Sequence, residues 1–235
     1  MSMPRIQVSR TVDLVVDSLR TAILSGDYPI GSRLPPERAL AEELGVNRLT
    51  LRSAISFLQS QGLVEPQHGR GVIVQDFRAN GGLELMAHVE DDEQLENTFA
   101  LRKVLAAQAL ADACEQATSR DINRLKSIAK SQEKRSQGTL DDIPFWEGDL
   151  EFMSCLVLAS NNLALRLVFN SFSKIIRAHH QIVDSSLRDR ESACRSYFAL
   201  IALIRNRDPE LAHKSVLGHL SERDEEALKA ALNRR

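Results

Sequence analysis

Arg48 and Arg52 stand four positions apart, with Leu49 and Thr50 between them, on a stretch whose apolar residues Leu51, Ala54, Ile55 and Leu58 recur at helical spacing. If Leu51 and Ile55 point into a core, the two arginines share the opposite, solvent-facing side. Guanidinium groups on one face near a helix N-terminus suit one chemistry in particular. Arg pairs bidentately with guanine O6 and N7 in the major groove of duplex DNA, while Thr or Leu meets a thymine methyl. Arg38 falls in the first turn of the preceding helix, close to where such a duplex would lie. Further along, His68-Gly69-Arg70-Gly71 sets a cation between two glycines, in a loop whose backbone can approach a phosphate or the minor groove. Surface arginines taken singly are usually just a solvated face. These belong to a larger pattern that gives them a common target.

That pattern is a set of short elements. Val12, Val15, Val16, Leu19 and Ile23 mark one face of a first helix, which Gly26 and Pro29 end. A second helix begins at Pro35-Pro36, where proline is tolerated in the first turn, and turns Leu40, Ala41 and Leu44 inward. Gly45 supplies a tight turn, Asn47 is a good N-cap, and the third helix runs from there to Gly62. Leu63-Val64-Glu65 and Val72-Ile73-Val74-Gln75, joined through Pro66 to Gly71, read as a hairpin. Three helices followed by a hairpin make a winged helix-turn-helix, expected over residues 1–76. The polar, glycine-containing stretch 77–82 is expected to be a linker.

From residue 83 to 235 the periodicity stays helical, with helices expected near 83–90, 93–117, 120–136, 142–160, 162–183, 188–206 and 209–232. The run 152–159 and the residues Leu163, Leu165, Leu167, Val168, Phe169, Phe172, Ile175 and Ile176 are apolar around much of their circumference, as in the middle of a bundle. The fold class is therefore mostly α: an N-terminal winged helix-turn-helix with a small β-hairpin wing, and a C-terminal antiparallel bundle of six or seven helices. Aromatic residues make up only 5% of the chain, which favours Leu-, Ala-, Val- and Ile-built helices over a β-sandwich.

Thirty Lys and Arg against 32 Asp and Glu give a formal charge of -2, which excludes a strongly basic chromatin-type protein and an acidic tail protein. The distribution says more. Residues 1–75 hold eight arginines, no lysine and seven acids, so the first segment is slightly cationic and all its cations are guanidinium groups. Cys114, Cys155 and Cys194 match no zinc or redox spacing; their odd number and the lack of a signal peptide point to a reducing cytoplasm. The longest apolar stretch is too short to cross a bilayer, so no membrane partner is expected.

The runs Gly31-Ser32-Arg33-Leu34-Pro35-Pro36-Glu37-Arg38-Ala39-Leu40-Ala41, Leu44 through Arg52, Gly62-Leu63-Val64 and Gly69-Arg70-Gly71 resemble the DNA-binding domain of GntR-family bacterial transcription regulators, over residues 8–76. The resemblance implies that Arg38, Arg48 and Arg52 contact operator bases and phosphates. It sets Thr50 at the same surface and the wing tip, His68 to Arg70, in the minor groove. Pro36 stands where the family usually has a Ser cap, and Leu49 where a smaller or polar residue is common.

Leu101-Arg102, Asp149-Leu150-Glu151-Phe152, Ala159-Ser160-Asn161-Asn162, and Asp208, Ala212 and Gly218-His219-Leu220 resemble the FadR subgroup of that family, whose effector domain is a helical bundle. Many members hold a divalent metal with one Asp and three His. Asp149 and His219 keep two of those positions, whereas Met153 and Tyr197 replace two histidines. A thioether and a neutral phenol suit such an ion poorly, so no metal and no cofactor are expected. His179-His180 and His213 are no substitute set, since adjacent helical histidines point about 100° apart.

Loss of the metal ligands resembles the fatty-acid-responsive members. This implies a long-chain acyl-CoA effector with Gly218 and Ser221 as contacts, although the Tyr and Trp expected around it are mostly absent. The rival effector is a small organic or amino acid anchored by Arg102. Arg102, Asp149 and Asn162 read equally as a buried polar network that keeps helices in register. The leading expectation is a cytoplasmic, homodimeric regulator binding a short palindromic operator. The other readings are a helical hydrolase or metalloprotein using Asp149 and His219, and a DNA-binding protein whose bundle is only a dimerisation scaffold. No nucleophile, base and oxyanion site assemble around Asp149 and His219 in the sequence.

Overall fold

A computed structural model describes residues 10–89, 92–181, 184, 187, 189–216 of the 235-residue chain. The chain divides into two compact units, Met1–His88 and Val89–Arg235.

In the first unit, α1 (Arg10–Leu24), α2 (Glu37–Glu43) and α3 (Arg48–Ser60) precede the strands β1 (Val64–Gln67) and β2 (Gly71–Val74). The stripe predicted for α1 is the buried one: Val15, Val16, Leu19 and Ile23 join Leu40, Ala41, Leu51, Ala54, Ile55 and Leu58 in a single core. Pro36 caps α2 from outside, so the helix begins one residue later than the Pro35-Pro36 start. The hairpin is tighter than expected. Pro66 and Gln67 continue β1, Gln67 pairs with Gly71, and only His68, Gly69 and Arg70 form the turn. Pro66 is tolerated because β1 is the outer strand: β2 is bridged on its other side by Arg33, and its backbone bonds to Gly31, Ser32 and Leu34.

The first unit also extends beyond the expected boundary at residue 76. The stretch taken as a linker contains α4 (Phe77–Asn80), capped by Asp76, and the helix expected over 83–90 is a 3-10 helix, Leu83–His88. Phe77 packs against the first unit's core and Leu85 is buried within it. At Gly62, φ is +74°, and a Cβ there would run into the backbone carbonyl of Asn80. Glycine thus ends α3 and lets the following segment lie directly against it. Arg20, buried on α1, donates to Asp17 and Gln61 and meets His88 Nε2 at 3.2 Å, which ties the end of the unit to its first helix.

The second unit holds α5 (Asp92–Gln116), α6 (Ser119–Ser136), α7 (Phe145–Ala159), α8 (Leu163–Ala178), α9 (Arg190–Asn206) and a helical segment over 209–216. Of the successive helices, α6 packs on α7 and α7 on α8. The apolar α7 lies in the middle and packs on α5, α6 and α8, while α9 packs on α5 and α6. Pro144 starts α7 three residues later than the expected 142, because a proline preceding the helix fixes the chain as extended. A reciprocal capping box, Thr118 with Asp121, starts α6. Gly148 lets α7 lie close to α6: a Cβ would strike the side-chain oxygen of Gln132. Among the described residues no helix is long and apolar enough to cross a membrane.

Candidate functional site

The first unit presents its cations on α3 and the wing. Asn47 caps α3, its side chain accepting from Thr50 N at 2.8 Å, so Arg48, Leu49 and Thr50 occupy the first turn, where backbone N–H groups are otherwise unpaired. Burial of Leu51, Ala54, Ile55 and Leu58 turns Arg48, Leu49 and Arg52 to the outside. Leu49 is 76% exposed, a cost in water that contact with a thymine methyl would remove. Arg38 is exposed on α2 and pairs with Glu42 at 3.1 Å. Arg52 donates from Nε to Glu37 at 2.8 Å. Among the described residues Arg48 and Arg70 make no ion pair. In the wing, His68, Gly69 and Arg70 are all exposed, and Gly69 has a φ of +73° that suits it to the three-residue turn. Sequence reasoning missed Glu37, whose partner lies 15 residues on. An acid in the first turn of α2 that precedes a recognition-type α3 is the signal that would have found it.

The second unit contains a cavity of about 330 Å³. Three helices bring its polar wall together. Arg102 on α5 donates to Asp149 Oδ2 on α7 at 2.7 Å, and the Tyr197 hydroxyl on α9 donates to Asp149 Oδ1 at 2.7 Å. The side chains of Arg102 and Asp149 are 7% and 8% exposed, so this is a buried ion pair with a third hydrogen bond on the carboxylate. Burial, and then the Asp149 charge, push the Tyr197 hydroxyl well above the usual phenol value, which keeps it a donor. The Phe152 and Tyr197 rings pack at 4.5 Å between centroids. Beneath them Gln132, fully buried, donates to the Phe145 carbonyl and accepts from Arg135, which grips Asp142 with two bonds.

The remaining walls are largely apolar: Ala106, Phe152, Met153, Leu156, Leu187, Leu200 and Leu203, with Ser192, Arg195, Ser196 and Ser215 adding polar groups. Sequence reasoning named only Tyr197 from α9. The signal was present, since Ser192, Arg195, Ser196, Ala199, Leu200 and Leu203 fall at i, i+3, i+4, i+7, i+8 and i+11, one helical face with hydroxyls at one end and leucines at the other.

Arg102, Asp149 and Tyr197 therefore converge, but Asn162 does not join them. It caps α8 through Leu165 N and donates to Asp112 on α5 at 2.9 Å, away from the cavity walls. Gly218, His219 and Ser221 lie outside the described residues. The residues present do not fit the divalent metal that the subgroup implies. Both Asp149 oxygens are taken, a guanidinium already neutralises the carboxylate, and Met153 offers only a thioether. Among the described residues no three His, Cys, Asp or Glu converge as a metal set. Cys155 is no reactive thiol either, since burial pushes it up to about 11.

Residues 11–74 match the family described as bacterial regulatory proteins, gntR family, and residues 97–233 match the FCD domain. The HTH-type transcriptional regulator Mce2R of Mycobacterium tuberculosis is 30% identical over 160 residues, 67% of either chain. The HTH-type transcriptional repressor NanR of an Enterobacter species is 26% identical over 216 residues, covering 89% of this chain and 82% of the relative. Among solved structures, Lar, which controls expression of the Listeria monocytogenes agr system, superposes with a TM-score of 0.65 at 20% identity over 95% of this chain and 99% of that one, a likeness of fold. An exposed guanidinium face on a helix-turn-helix, a wing, and a helical unit with a largely apolar cavity that has one polar wall agree with these matches: the chain belongs to the GntR family and is a ligand-responsive transcription regulator with an FCD effector-binding domain.

Proposed function

We propose that this regulator acts in the cytoplasm as a homodimer that reads a short palindromic operator, and that a small organic acid in the FCD cavity sets its affinity for DNA. Arg48 and Arg52 meet base edges, with Leu49 and Thr50 beside them. Arg38 meets the backbone, and His68, Gly69 and Arg70 approach the minor groove. A two-fold pair of such heads demands half-sites related by the same symmetry. The effector's carboxylate meets the Arg102 side of the buried pair and its body lies on Phe152, Leu200 and Leu203. Binding works by stabilising one arrangement of the dimer over another.

The observation that carries the effector class is the cavity: about 330 Å³ with a buried guanidinium at its wall. That is roughly eleven water volumes at ~30 Å³ each, room for a small carboxylic or amino acid. Its walls hold no His, Lys or Cys among the described residues, which supports binding over catalysis.

Selection from random DNA should return a two-fold symmetric site, and native mass spectrometry of the freshly purified chain should give a dimer mass plus a small acid. An asymmetric site bound by monomer overturns the dimer reading; a retained acyl-CoA overturns the effector class. Leu203→Trp, which fills the cavity, should abolish the response to the acid and leave operator binding intact.

A further inference from the structure

Two acids lie among the cations of the DNA-binding face, and their geometry differs. Arg38 and Glu42 are neighbours on α2, both about 70% exposed, and their pairing at 3.1 Å fixes nothing relative to α3. Glu37 reaches from the first turn of α2 across to Arg52 on α3, accepting from Nε at 2.8 Å. The Glu37 side chain is 36% exposed against 66% for Arg52, so the carboxylate is the better anchored partner and the guanidinium the one being held.

The choice of nitrogen matters. Arg presents two forks to a bidentate acceptor, one made with Nε and one made by the two terminal nitrogens. Glu37 occupies Nε. The end-on fork, with its N–H groups, stays available, and it is the fork that can straddle guanine O6 and N7 at the tip of an extended side chain. A long flexible arginine loses rotamer freedom when it meets a base, and a partner that holds it beforehand reduces that loss on binding. Charge argues in the same direction. A carboxylate at a DNA-facing surface repels phosphate and weakens attraction to every sequence alike. Within DNA binding, Glu37 can therefore be advantageous only in discrimination between sequences.

We propose that Glu37 is a specificity-determining positioning residue: by holding Nε of Arg52 it aims the terminal fork at a guanine and lowers affinity for all other DNA. This rests on the reading that Arg52 meets a base edge. The face then combines one guided arginine, Arg52, with Arg48, which has no ion pair among the described residues.

The test uses the full-length protein with its selected operator, the same operator with single base pairs replaced, and a random duplex, each titrated at several salt concentrations. Glu37→Gln keeps the size and removes the charge; its melting temperature against the parent checks the fold. It should bind the random duplex a few-fold more tightly and lose about five- to tenfold of its preference at the base pair read by Arg52, part of the discrimination that one bidentate contact gives. Arg52→Ala should abolish that preference. In base preference the double variant should match Arg52→Ala alone, because the acid affects preference only through the arginine, while it should still bind every duplex somewhat more tightly than Arg52→Ala. If Glu37→Gln tightens operator and random duplex by the same factor while Arg52→Ala still abolishes the preference, the carboxylate is a mere charge and the proposal fails, with base reading by Arg52 intact. If Arg52→Ala leaves every preference unchanged, base reading by Arg52 fails and takes the proposal with it.

Discussion

The arginines that face outward in the DNA-binding unit and those lining the FCD cavity have the same chemistry in opposite settings. Arg48, Arg52 and Arg70 stand in water, with a surface carboxylate beside one of them. Arg102 is buried and closed onto Asp149, whose other oxygen Tyr197 takes. In the first setting a cation adds little to the stability of the fold and much to contact with an anionic partner. In the second it has left its hydration behind, so the fold depends on its partner being there. In the proposed reading the same residue type serves recognition at one end of the chain and both structure and recognition at the other, and substitutions should separate the two.

The largest effect should come from breaking the buried pair from one side. Asp149→Ala leaves a guanidinium and a phenol without their shared acceptor, and should destabilise the FCD unit by about 3 to 5 kcal/mol. Replacing both members, Arg102→Met with Asp149→Leu, should cost much less, because no charge is left buried alone. Trp146, the chain's single tryptophan, stacks on His180 within this unit, so its fluorescence during urea unfolding follows the FCD unit specifically. A double variant as unstable as Asp149→Ala would mean that packing, and not charge, dominates at the crossing of α5, α7 and α9.

Next in size is the loss of an exposed cation. Arg48→Ala should leave the unfolding curve within about 0.5 kcal/mol of the parent, since surface substitutions away from special contacts rarely do more. It should still cost about 1 to 3 kcal/mol of discrimination at one base pair. Competition binding between the operator and single-base variants measures it. A change in stability as large as the change in discrimination would remove the contrast between the two settings.

The same contrast explains what could be read from the sequence. The proposed DNA-binding face is local: Asn47 through Arg52 is the capped first turn of one helix, and Gln67 through Gly71 is the end of one hairpin, so residue type and spacing suggest it before any tertiary contact is known. The boundary at residue 76 misled because it was drawn on polarity, while the packing of Phe77 and Leu85 and the approach of Asn80 to Gly62 are decided in three dimensions. The cavity joins residues 102, 149 and 197, each from a different helix, and only family resemblance drew them together in advance. The same resemblance included Asn162, which turns out to cap α8 and hold α5 instead. A helix cap and a ligand contact use the same side-chain amide, and sequence alone does not distinguish them.

The smallest effect belongs to the wing, where the outward-facing cation is read as a charge alone. Arg70 is exposed at the tip of a three-residue turn, with Gly69 and Gly71 beside it offering no side chain that could read a base. If it neutralises one phosphate, Arg70→Ala should weaken binding to operator and random duplex by a similar factor. It should also reduce the slope of log affinity against log salt by about 0.9 per dimer-bound wing, the value for one released counterion on B-form DNA. Arg48→Ala should change that slope much less than it changes base preference. Titrations across a fourfold range of salt would separate the two. If Arg70→Ala left the salt slope intact and altered preference at one position, the wing would be a reader of groove shape or base edge, and the assignment of sequence reading to α3 alone would fail.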